Sequence, residues 1–88
     1  MPESIRAHLR ARDLDSALLL AHTLVSTAGH VGADRLAELA RQVQRACQLR
    51  DAIQAEAKAL ELAVEFEHVR RAVMAFLAEA GRERDLRA

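Results

Sequence analysis

Aromatic residues are nearly missing from this 88-residue chain: Phe66 and Phe76 are the only two, with no Trp or Tyr. A core without them is built from Leu, Val and Ala, which favours close-packed helices over sheets. Their scarcity also removes the platforms on which nucleic-acid bases stack. Charge of one sign is missing too, since thirteen basic residues balance thirteen acidic ones. No basic face is expected to follow a phosphate backbone, so nucleic acid is not an expected partner. A single cysteine, Cys47, excludes an internal disulfide and reads as a packing residue of a cytosolic protein. No apolar run approaches the roughly 20 residues that span a bilayer, and the first residues do not form a signal peptide. A cytoplasmic location without membrane insertion is the expectation.

What is present is patterned. The chain is 51% hydrophobic and 30% charged, a balance that suits one soluble domain over residues 1–88. Breakers are few: Pro2, Gly29, Gly32 and Gly81. Pro2 opens a short helix over 3–11, and Asp13 is the expected N-cap for the second, over 13–29. In that helix Leu14, Ala17, Leu18, Ala21, Leu24, Val25 and Ala28 recur at the 3–4 spacing of one face. Gly29 and Gly32 bracket a reversal. A third helix over 33–49 carries Leu36, Leu39, Ala40, Val43, Ala46 and Cys47 on one stripe. Asp51 and Gln54 resemble a capping box, which places a turn near 48–52; an unbroken long helix is the alternative there. The last helix, over 52–80, carries Ala52, Ala55, Ala59, Leu62, Phe66, Val69, Val73, Phe76 and Ala80 at the same spacing. The predicted fold is all-α, a small antiparallel four-helix bundle.

Ile53, Ala57, Leu60 and Val64 break this simplicity. They form a second apolar stripe roughly opposite the first, and a helix apolar on two sides needs cover on both. A bend in the helix, the short first helix, or a second copy in a symmetric homodimer would supply it.

Enzyme signatures are absent: no glycine-rich phosphate loop, no paired-cysteine metal site and no nucleophile elbow. The histidines at 8, 22, 30 and 68 are too scattered for a metal site. Function must then rest on a surface or on one side chain. His22 stands out because it falls roughly 100° from the centre of its helix's apolar face. There an imidazole can be anchored on one side and reach solvent on the other. Asp15, Leu19, Ser26 and Gly29 share that flank. His8, His30 and His68 read as solvated residues.

The run from Ala21 to Ala33, A-H-T-L-V-S-T-A-G-H-V-G-A, resembles the motif of histidine-containing phosphotransfer (HPt) domains, approximately A-H-T-L-K-G-S-A-G-x-x-G-A. The likeness extends outward to Arg12–Ala17, Leu36–Ala46 and Glu65–Val73, and so covers most of the chain. It implies that His22 is the phosphoryl acceptor of a phosphorelay carrier. Such a carrier takes the group from the aspartate of a receiver domain, in a response regulator or hybrid kinase, and passes it to another receiver. It also implies no autonomous enzymatic activity and no cofactor or metal of its own, since magnesium and the charge-stabilising Lys belong to the receiver. Gln44 matches a polar family position that supports the acceptor ring, and Thr23, Ser26 and Gly29 match positions around it. Asp15, Leu19, Val25 and Ser26 would form the docking surface for the receiver.

Two positions depart from the motif. Val25 stands where the family usually has Lys, and Ser26 where it usually has Gly. The Lys would place positive charge beside the phosphoryl group, a contact worth roughly 1–3 kcal/mol at a desolvated site. Arg41, on a similar flank of the next helix, is the residue that could restore it. The alternative implied by these departures is a degenerate module that docks or dimerises without being phosphorylated. The family's longer leading helical segment is also nearly gone.

Overall fold

The computed structural model describes the backbone of residues 1–87 and the side chains of residues 1–82. It consists of four helices and, among the described residues, no strand: α1 (Pro2–Arg10), α2 (Leu14–His30), α3 (Asp34–Gln48) and α4 (Ala52–Arg87). The three interhelical corners are built alike. Arg12, Gly32 and Arg50 each adopt a left-handed conformation, with φ of 63°, 73° and 59°. In each case the next N–H returns to a carbonyl five residues earlier: Asp13 to His8, Ala33 to Ala28, and Asp51 to Ala46. This is the bond that closes a Schellman turn and satisfies a helix's last carbonyls. Only Gly32 accepts that conformation without steric cost; Gly29 is the penultimate residue of α2. Asp13 then caps α2 by accepting from the Ser16 N–H, and Asp51 caps α4 by accepting from that of Gln54, both at 3.1 Å.

The corners fold the helices into an up-and-down bundle in which α2 and α4 lie diagonally, each packed against α1 and α3. Its core is small-residue rich. Ala17, Ala21, Ala28, Ala37, Ala40, Ala55 and Ala59 are all buried, between Ile5, Leu9, Val43, Cys47 and Leu62. Alanine at the seams lets the backbones approach closely, so little volume is left to fill with aromatics. Burial raises the Cys47 thiol pKa above its ordinary value, consistent with a packing role.

α4 outgrows its bundle. At 1.5 Å per residue its 36 residues span about 54 Å, which is the longest dimension of the whole molecule. It runs on to Arg87 rather than stopping near 80, because one glycine at 81 costs a helix only about 1 kcal/mol and good helix formers follow it. The core stripe is buried through Leu62 and half-buried at Phe66 and Val69. Beyond that, Val73 and Phe76 lie on the surface, together with Met74 and Leu77. α2 and α3 reverse at Val31–Ala33, opposite this exit point, and nothing of them extends further to cover the stripe.

Candidate functional site

His22 lies at the middle of α2, on the side turned toward α3. Ala21 beside it is fully buried while His22 itself is exposed. The apolar face thus pins the backbone, and the imidazole emerges at the rim of the seam. Gln44, half-buried on α3, meets the ring with its amide Nε2 3.2 Å from His22 Nδ1. Among the described residues the ring has no second hydrogen-bonding partner, which leaves Nε2 of this exposed side chain without one.

Around His22 the exposed face of α2 forms a ridge. Asp15, Leu19, Ser26 and Gly29 are all exposed along it, Leu19 at 64%. Thr23 is exposed as well, but its hydroxyl donates to the Leu19 carbonyl at 3.1 Å and so is spent within the helix. Val25 differs from the others. It is half-buried and packs against the core, so its side chain contributes to the bundle more than to the ridge.

The antiparallel seam also fixes where Arg41 lies. Gln44 is level with His22; Arg41 precedes Gln44 by three residues and Val25 follows His22 by three, so Arg41 is level with Val25. Its guanidinium is held by Glu38, with Nη1 3.2 Å from Oε2, and both side chains are more than half exposed. An exposed pair of this kind is worth about 1 kcal/mol or less.

One tie at this site has no signature in the sequence: Asp15 at the start of the ridge binds Arg50 of the α3–α4 corner at 3.0 Å, two side chains brought together from distant positions. The contact of Glu38 with Arg41 is an i,i+3 pair within α3 and is legible from spacing alone. The other histidines do not converge on the site. His8 lies 3.4 Å from Asp13, His68 lies 3.6 Å from Glu65, and His30 is exposed at the end of α2. Among the described residues no group of metal-ligating side chains comes together, and no helix is long and apolar enough to cross a membrane.

In comparisons with known proteins, residues 3–81 match the family model of the Hpt domain. No curated protein and no solved structure matches the chain.

Proposed function

From the premise that the chain belongs to the Hpt domain family, we propose that it is a phosphorelay carrier whose acceptor is Nε2 of His22. The observation that carries this reading is the exposed ring anchored at one nitrogen only, by Gln44 at 3.2 Å. A histidine nucleophile attacks through an unprotonated nitrogen. For Nε2 to hold the lone pair, the ring proton must sit on Nδ1, and the Gln44 amide must turn its oxygen to accept it. The opposite amide orientation, with Nε2 of Gln44 donating to Nδ1, puts the proton on the attacking atom and silences it. Gln44 therefore orients the ring and, through its amide rotamer, selects the reactive tautomer.

The transfer forms an N–P bond at Nε2 as the O–P bond of the receiver's aspartyl phosphate breaks, and the aspartate leaves as a carboxylate. Positive charge that develops on the ring is eased by the Nδ1–H to Gln44 hydrogen bond. Arg41, level with the position where the family carries Lys, supplies the positive charge that Val25 lacks. Positioning and electrostatics are the chain's contribution to the barrier. Docking falls to the ridge of Asp15, Leu19 and Ser26, where Leu19 offers an exposed apolar contact and small Ser26 permits close approach.

Incubation with a phosphorylated receiver domain, followed by assay for acid-labile phosphate, tests the reading. Label should appear on the wild-type chain and disappear in His22→Ala, whose helical content stays unchanged because the side chain is exposed. Receiver binding without any label would instead identify a docking module.

A further inference from the structure

The outer stripe of α4 remains uncovered: Ile53 is 79% exposed, Leu60 54% and Val64 56%, with Ala57 exposed between them. We propose that this face binds a second copy of the chain in an antiparallel, two-fold symmetric contact. The inference is independent of the role assigned to His22.

Three features of the surface specify that occupant. First, Leu60, Ala63, Val64 and Glu67 line a depression of about 360 Å³ walled on one side by Arg6 of α1. Their spacing of i, i+3, i+4 and i+7 is that of the hole that receives a knob in helix–helix packing. Second, the knob is present on the same stripe, since Ile53 is the most exposed large apolar side chain among the described residues. An antiparallel pairing about an axis between positions 58 and 59 sets Ile53 against the partner's Val64 and Ala57 against the partner's Leu60. Both contacts recur by symmetry, as an isologous interface requires. Third, the charges agree with this register. Glu56 is exposed and lines a hollow with Arg6 and Arg10 of its own chain, yet is within ion-pair distance of neither. In the pairing it falls opposite the partner's Ala63, beside the partner's Arg6, whose own tie to Glu3 is a loose 3.8 Å. On the other flank Gln54 meets the partner's Glu61, so like charges do not oppose each other on that side.

Because α2 and α4 are diagonal in the bundle, the contact lies on the far side from His22 and leaves both acceptor faces of the dimer open.

Sedimentation equilibrium on the full chain at high-micromolar concentration tests the assembly. The wild type should sediment as a dimer and Ile53→Glu as a monomer with an unchanged helical spectrum, since Ile53 supports nothing within the chain. Glu56→Arg should raise the dimer dissociation constant roughly tenfold, and adding Arg6→Glu should restore it, because the swap rebuilds the pair across the two-fold. A monomeric wild type overturns the proposal, as does a charge swap that fails to restore assembly. A dimer that survives Ile53→Glu but is lost in Phe76→Glu would place the contact on the projecting end of α4 and overturn it equally.

Discussion

Gln44 and His22 join α3 to α2 through one side-chain contact, 3.2 Å from the amide to Nδ1, and it holds the imidazole at the rim of the seam. A hydrogen bond of this kind contributes about 0.5–1.5 kcal/mol. Gln44→Leu keeps the packing volume but removes the contact. It should slow phosphoryl uptake from a receiver by roughly two- to tenfold without changing thermal stability appreciably. Rapid-quench measurement of the labelling rate checks this. An unchanged rate would mean that the ring needs no support from α3.

Val25 and Arg41 should prove to be two solutions to the same electrostatic need. Arg41→Ala removes the positive charge that lies level with Val25 and should slow transfer. Val25→Lys should speed it, tenfold for each ~1.4 kcal/mol gained in the transition state. A lysine stem can lie along the core edge where Val25 packs while its ammonium reaches solvent. In the double variant, Val25→Lys should recover the rate lost with Arg41. Independent, additive effects would show that the two positions do not act on the same charge.

Leu62 and Phe76 occupy the same apolar stripe of α4, yet Leu62 is fully buried and Phe76 is 71% exposed. Leu62→Ala should cost about 2–5 kcal/mol by leaving a cavity in the core. Phe76→Ser should change the stability of the single chain by no more than about 0.5 kcal/mol. Chemical denaturation of both variants at low concentration separates the cases. Comparable losses would mean that the projecting part of α4 folds back onto the bundle.

Glu67 sits where α4 leaves the bundle and is gripped by Arg70 at 2.7 and 2.9 Å and by Arg71 at 3.1 Å. Hydrogen bonds from Arg70 come first among the causes that pull its pKa from the ordinary 4.5 down to about 2. A depressed folded-state pKa contributes stability that is fully present above the unfolded value and is lost as pH falls through the folded one. The clamp should therefore hold at pH 4 and release only as pH drops toward about 2. Carboxyl NMR titration of Glu67 reads its midpoint directly, and a midpoint near 4.5 would show that the clamp is not made in solution. The Asp13 cap follows the same sign, its carboxyl lowered by the hydrogen bond from Ser16.

The helix count, the corners and the placement of His22 on a flank were legible because each is encoded within one or two turns of chain. Asp13 and Asp51 announce their helices by capping chemistry, and the 3–4 spacing of Ala17, Ala21, Leu24 and Ala28 determines which face of α2 turns inward. At Arg12 and Arg50 the corner falls where the local signals put it, although arginine rather than glycine takes the left-handed conformation there.

Coverage was decided only by the tertiary structure. Periodicity marks a face as apolar but carries no information about whether another helix lies over it. That depends on where the neighbouring helices end, and so Leu62 is interior while Val73 and Phe76, on the same stripe, are surface. The contacts of His22 with Gln44 and of Asp15 with Arg50 likewise required the seams to close. Their partners are distant in sequence, and only the register of one packed helix on another brings them within hydrogen-bonding range.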